Sequence, residues 1–228
     1  MSDLIQRYES FKKEVEAFCL KEKTQAPSLL VVSKKHPSPK IRELYVHGHR
    51  DFAENYVQEW REKFDDTDDL DISWHFIGSL QTNKVKYLVG KVEMIHTVDS
   101  ERLLSEINKR ALSQSVKQKI LLQIDWEERE DRGGMSETEI HKIAKSISEY
   151  PGVELCGLMM VAPLEEEARL YFEKCQKLFF EIKDLLDGKH STFEHLSMGM
   201  SSDYQDAIRF GSSLLRIGTA IMGKRPEN

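Results

Sequence analysis

The chain lacks the charge balance of a nucleic-acid binder. Its 228 residues include 33 Lys and Arg against 39 Asp and Glu, a formal net charge of -6. With no basic footprint, binding to nucleic acid or to an anionic membrane surface is disfavoured, and a phosphate ligand has to be met at a local site. Long hydrophobic runs are also missing. Segments such as Ser28-Leu29-Leu30-Val31-Val32 and Leu155 to Val161 are far shorter than the roughly 20 residues that span a bilayer and read as buried strands. The opening residues Met1 to Arg7 carry no basic segment followed by a long apolar one, so no secretory signal is expected and the protein is placed in the cytoplasm. Cysteine is scarce: Cys19, Cys156 and Cys175 are widely spaced and outside any Cys-x-x-Cys pair, which argues against a disulfide framework or a zinc site and for reduced, mostly buried thiols. No Gly-x-Gly-x-x-Gly, Walker or Gly-x-Ser-x-Gly motif occurs, leaving nucleotide-binding and serine-hydrolase readings without support. The acidic run Asp65 to Asp69 lacks the glycine and terminal glutamate of a calcium loop, and His47 and His49 near Glu54 read as a surface loop in preference to a metal site.

What is present is alternation. Leu4, Tyr8, Phe11, Val15 and Phe18 fall at steps of four and three, the spacing of one helix face, and predict a capping helix within residues 1–22. Strands are then expected at Leu29 to Ser33, Asp51 to Ala53, Ile72 to Ile77, Glu93 to Thr97, Lys119 to Ile124, Glu154 to Leu158, Phe193 to Leu196 and Leu214 to Ile217. Helices follow them from Pro37 to Tyr45, to about Phe64, and over Thr82 to Val89, Ser100 to Leu112, Glu137 to Glu149, Glu165 to Leu186 and Asp203 to Phe210. Only Ala220-Ile221-Met222 remains for an eighth helix, and residues 224–228 read as a frayed tail. Alternating elements imply a parallel sheet. Eight units in this length fit a single α/β domain, a closed (β/α)8 TIM barrel with an extra N-terminal helix, better than an open doubly wound sheet. The N-terminal helix is expected to cover the gap left by the short eighth one.

In such barrels chemistry gathers at the C-terminal ends of the strands. The residues expected there include Ser33-Lys34, Glu54-Asn55, His75 to Gly78, Asp125-Trp126, Met159-Met160, Ser197 to Ser201 and Arg216 to Thr219. Gly199, Ser201, Gly218 and Thr219 in the last two loops offer hydroxyls and bare backbone suited to a phosphate, although Gly and Ser are also ordinary turn residues. Lys34, at the mouth of strand 1, is expected to face that site across the barrel. A lysine nucleophile needs its neutral amine, which partial desolvation favours. Lys35 is its rival, read as a solvated residue opening a helix. Arg216, inside an apolar strand, must find a partner or a ligand, so a structural ion pair and a ligand contact both stay open.

Five ordered blocks carry a resemblance: Leu30-Val31-Val32-Ser33-Lys34 with Pro37; Phe52 to Glu59; Trp74 to Lys84; His195 to Asp203; and Arg216 to Gly223. Across nearly its whole length the chain resembles the pyridoxal phosphate homeostasis proteins, whose barrel is like the N-terminal domain of alanine racemase, of fold type III. The resemblance implies pyridoxal 5'-phosphate held as a Schiff base on Lys34. It implies phosphate contacts at Ser197, Ser201, Gly218 and Thr219, with Arg216 at the pyridine nitrogen, where an arginine leaves the ring a poorer electron sink. Asn55, His75 and Met200 complete the expected cofactor contacts. Two departures stand out: His36 occupies a position where many members have a second lysine, and Arg132 stands where the loop after strand 5 usually has one.

No sequence is left here for the second domain of fold-type III racemases. A lone barrel leaves the cofactor open to water, which disfavours protected carbanion chemistry. The expected function is a monomeric carrier or buffer of pyridoxal phosphate without turnover, with cofactor-dependent apoenzymes as possible recipients. A weak amino-acid racemase or related enzyme is the alternative, and a cofactor-free phosphosugar barrel a third reading.

Overall fold

Apolar runs of four to seven residues, bounded by turns, fold here as parallel strands covered on both faces, which is why they read as continuous hydrophobic stretches. The computed structural model describes residues 1–127, 133–163, 168–186 and 192–224. Its strands are β1 (Ser28–Val32), β2 (Asp51–Glu54), β3 (Ser73–Phe76), β4 (Met94–Val98), β5 (Gln118–Gln123), β6 (Val153–Met159), β7 (His195–Ser197) and β8 (Leu214–Ile217). They pair in chain order and close as a barrel, with Leu30 of β1 opposite Arg216 of β8. Around it lie α1 (Asp3–Glu22), α2 (Ser38–Val46), α3 (Val57–Asp66), α4 (Val85–Leu88), α5 (Glu101–Ser113), α6 (Glu137–Ser146), α7 (Ala168–Leu185), α8 (Tyr204–Arg209) and α9 (Thr219–Met222).

The helices follow local chemistry. Ser2 caps α1 by accepting from Ile5 N, and Lys23, in the left-handed region at φ 56°, ends it. Ser136 and Glu139 form a reciprocal capping box at α6. Leu4, Tyr8, Phe11 and Val15 of α1 are buried, each contributing roughly 1.5–3 kcal/mol if fully removed from water. The face they form lies on α8 and α9: Arg7 Nε donates to Ile221 O at 2.9 Å, and Phe11 meets Tyr204 edge-on at 5.0 Å.

Several elements depart from the sequence reading. Thr82 to Val89 is a short 3-10 turn followed by the single turn of α4, and α6 tightens into a 3-10 turn at Ile147. β7 begins at His195; Phe193, expected inside it, instead stacks on Phe179 of α7 at 5.0 Å. His49 is buried, bonded through Nδ1 to Tyr8 Oη at 3.3 Å and through Nε2 to Asp51 O at 2.8 Å. Burial drives its pKa below the ordinary histidine value. Arg132, the expected helix start at Glu165 and residues 225–228 of the tail lie outside the described residues. Among those described, no helix is long and apolar enough to cross a membrane.

Most of the core fills the space between the barrel wall and the helices. A second, smaller cluster sits inside the barrel, with Leu30, Ala53, Met94, Leu121, Cys156, Met159 and Leu214. Inward positions of such barrels are usually branched and apolar. Here His75, His96, Ser197 and Arg216, all buried, share that interior.

Candidate functional site

Strand alternation positions the site. Leu30 and Val32 of β1 pack into the interior cluster, so Lys34, two residues further on, emerges on the same side at the C-terminal mouth. There it lines a cavity of about 490 Å³ together with Asn55, Met200, Ser201, Arg216, Gly218 and Thr219. Val32, Ile77, Met159 and Val161 give the cavity apolar walls, and Ser202 adds a hydroxyl. Because β1 pairs with β8, Lys34 stands beside the Arg216 to Thr219 segment and not across the barrel from it, a correction to the sequence expectation.

The turn carrying Lys34 is fastened from below. Glu54, fully buried at the end of β2, accepts from Ser33 Oγ at 2.5 Å and from Lys63 Nζ at 2.5 Å. Lys63, on α3, also donates to Ser33 O at 2.7 Å and to Glu59 at 2.8 Å. Glu59 in turn accepts from the backbone N-H of Lys35. Burial raises the Glu54 pKa, and Lys63 opposes it. Lys35 adopts φ 61°, the left-handed region that non-glycine residues seldom enter, and its side chain is exposed. The Lys34 ammonium lies 4.8 Å from the centre of the Tyr56 ring, a separation at which a cation is attracted to the ring face.

At the other wall, Arg216 donates to Ser197 Oγ at 2.9 Å and to Met160 O at 2.8 Å. Burial lowers its pKa to about 10, with Asp203 opposing, so it stays a cation at neutral pH. Asp203 itself accepts from Met200 N at 2.5 Å and tethers the loop after β7. That loop needs glycine at 199: φ is 93°, and a Cβ would stand 2.6 Å from Ala207 Cβ and 2.8 Å from Leu215 Cδ2. Gly218 is different. A Cβ there would meet only Val32, at 3.7 Å, so packing does not demand the glycine, and what its lack of a side chain does is leave bare backbone along the cavity wall. Ser201 Oγ accepts from Ala220 N at 3.4 Å and draws the two loops together.

Two sequence-chosen residues fall elsewhere, as does His36. His75 does not reach this cavity; it lies one layer down its strand and lines a second cavity, of about 330 Å³, at the N-terminal mouth. Ser197 is buried beneath the site, bonded to Arg216 and His96, and is not among the lining residues. His36, the replacement for a second lysine, is buried beside Lys40 and likewise does not line it. Val161 and Tyr56 were not among the expected site residues: continuing the alternation of β6 past Met159 identifies Val161, whereas Tyr56 lies in the Phe52 to Glu59 block with no role read for it.

The alanine racemase N-terminal domain family matches residues 18–226. The pyridoxal phosphate homeostasis protein of Aquifex aeolicus is 42% identical over 201 residues, covering 86% of this chain and 86% of that relative. The Escherichia coli K12 protein of the same description is 34% identical, covering 87% and 86%. Among solved structures, PipY of Synechococcus elongatus with pyridoxal phosphate bound superposes with TM-score 0.85 at 31% identity, covering 97% of this chain and 100% of that one. An alanine racemase of Clostridium difficile shares the fold, with TM-score 0.71 at 16% identity, over 95% of this chain and 57% of its own. By fold, by length matched and by sequence identity, the chain belongs to the pyridoxal phosphate homeostasis protein family.

Proposed function

We propose that the chain binds pyridoxal 5'-phosphate in the cavity at the C-terminal mouth and acts as a carrier of that cofactor, holding it covalently through Lys34. When bound, the cofactor supplies an aldehyde that bonds reversibly to a primary amine and a phosphate dianion that needs hydroxyls and backbone N-H groups. The residues fit such a molecule. Lys34 presents the amine, Ser201, Gly218 and Thr219 form a small-residue wall for the phosphate, and Arg216, on the same lining, would neighbour the ring nitrogen. Asn55 and Met200 would flank the ring, while the loop tether at Asp203 and the Glu54-Lys63 pair would hold the two walls apart. Family membership and the cofactor in PipY support this reading.

The observation that favours carriage over turnover is the lining itself. Among the described residues lining the cavity, Lys34 is the one amine and no carboxylate, histidine or thiol stands with it, and stereochemical inversion at carbon requires acid-base groups on both faces. The cavity is open to water, which weakens electrostatic stabilisation of a carbanion. Three free, buried cysteines accord with a reducing cytoplasm, and exchange with cofactor-dependent apoenzymes, from a monomeric carrier, completes the proposal.

The test is a spectrum of the loaded protein followed by borohydride reduction and peptide mapping, with the label expected on Lys34; a label on Lys35 overturns the assignment. Incubating the loaded protein with single L-amino acids in deuterated water should give no catalytic α-deuteration. Sustained deuteration would make the protein an enzyme.

A further inference from the structure

The polar column inside the barrel is continuous. Arg216 donates to Ser197 Oγ at 2.9 Å; Ser197 Oγ lies 2.9 Å from His96 Nδ1; His96 Nε2 lies 2.9 Å from His75 Nδ1. His75 Nε2 stands 3.8 Å from Asp51, a carboxylate at the rim of the N-terminal mouth. The four residues sit on β8, β7, β4 and β3 and are each at most 5% exposed. They occupy inward positions where an apolar side chain would cost nothing in desolvation.

The column has a direction. A guanidinium carries donors and no acceptor, so Arg216 engages a lone pair of Ser197 Oγ and the hydroxyl proton goes to the acceptor in reach, His96 Nδ1. His96 is neutral, since burial holds its pKa well below the ordinary value and His75 and Arg216 add to the effect. With Nδ1 accepting, its single proton is on Nε2 and is donated to His75 Nδ1. The remaining proton of His75 then faces Asp51. All three hydrogen bonds donate the same way, from a cation beside the cofactor cavity down to His75, which faces the Asp51 carboxylate at the opposite mouth at an ion-pair separation of 3.8 Å.

We propose that Ser197, His96 and His75 are positioning residues that orient Arg216 toward the cofactor ring through a one-directional hydrogen-bond relay that runs down the barrel interior and ends on His75, facing Asp51. The proposal rests on the cofactor reading for the role of Arg216, while the relay itself is a property of the chain alone. The charged and titratable groups around its lower end are Asp51 from β2, His195 from β7 with Glu194 just before it, Cys156 and Glu154 from β6, and Glu93 and Lys119 along the mouth; β8 contributes Arg216 at the upper end.

Two measurements test it. In the full chain labelled with ¹⁵N-histidine and free of cofactor, long-range ¹H-¹⁵N spectra at neutral pH should show His96 and His75 protonated on Nε2 with Nδ1 bare. A proton on Nδ1 of either ring overturns the relay. Ser197→Ala should then release His96 to populate both tautomers, a change that mere packing would not produce; an unaltered spectrum counts against the proposal. In titrations with pyridoxal phosphate, Ser197→Ala and His96→Leu should each weaken binding about tenfold, the effect expected of a lost buried hydrogen bond. His96→Gln, which keeps one donor and one acceptor, should recover part of it. Melting curves identify any variant that has failed to fold, and in that case Ser197→Ala, the smallest change, decides. Unaltered affinity in a folded Ser197→Ala protein overturns the positioning role. A wild-type chain that takes up no pyridoxal phosphate instead overturns the functional reading, with the tautomer result standing independently.

Discussion

Replacing Lys63 by Met should expose how much the turn under Lys34 depends on one buried ion pair. Lys63 Nζ meets Glu54 at 2.5 Å, and the two side chains are 6% and 0% exposed. The substitution preserves the aliphatic stem but leaves the Glu54 carboxylate without a cation, held only by the Ser33 hydroxyl at 2.5 Å and the Asn55 backbone N-H at 3.3 Å. Breaking such a pair from one side costs about 3–5 kcal/mol. At roughly 2–4 °C per kcal/mol for a chain of this length, the melting temperature should fall by about 6–20 °C. Glu59, the other partner of Lys63, is 22% exposed and is partly compensated by water. The pH dependence is the sharper signature. Burial already raises the Glu54 pKa above its ordinary 4.5, with Lys63 opposing, so losing Lys63 raises it further. A carboxyl with a folded pKa above its unfolded value binds more protons folded than unfolded between the two. Stability therefore falls as pH rises through that window, and the loss is complete above the folded value. The deficit of Lys63→Met should be greatest at pH 8 and shrink as pH approaches 4.5. Circular-dichroism melts across that range, alongside the double variant Glu54→Gln/Lys63→Met, make the measurement. A deficit independent of pH, or a double variant no more stable than the single one, would refute an unpaired buried charge as the cause.

Gly199→Ala should destabilise the loop after β7, since both its φ of 93° and the contacts with Ala207 and Leu215 oppose a methyl group; a loss of about 1–3 kcal/mol in denaturant unfolding is expected. Arg216→Met leaves Ser197 and the Met160 carbonyl without their donor, and cofactor affinity should drop by about ten- to a hundredfold at roughly 1.4 kcal/mol per decade, read by absorbance titration. Cys175 is fully buried and its thiol pKa is pushed up to about 12, so iodoacetamide at pH 7.5 should label it only after unfolding, as mass spectrometry would report. Deleting residues 1–22 uncovers Tyr204, Ile221 and Met222, which pack under α1; the shortened chain should lose cooperative melting.

Strand 8 was read to the residue because Leu214 to Ile217 is bounded by serines on one side and glycine on the other, and both faces are buried. β7 was not, because Phe193 is as apolar as a strand residue yet spends its ring on α7, a contact invisible within one segment. The same limit governs the site. Lys34 and Arg216 follow from alternation along a single strand, which fixes the face a side chain takes. Depth along the barrel axis depends on the stagger between strands, so His75 was assigned to the correct interior but the wrong mouth. His96 escaped notice because a histidine amid Met94, Ile95, Thr97 and Val98 looks like an interruption in an apolar strand until its neighbours across the interior are known. The Glu54-Lys63 pair joins residues nine apart on different elements, and the acidic Glu54 read simply as the strand's polar end.

Lys34 and Lys35 are chemically the same amine on adjacent residues, so reactivity alone would not separate them. What separates them is handedness. At Lys35 the backbone turns through φ 61°, sending one side chain to the cavity and the other to solvent, with Glu59 clamping the amide that makes the turn. A peptide placing both lysines in right-handed geometry would present its two amines alike; the folded chain turns one to the cavity and the other to solvent.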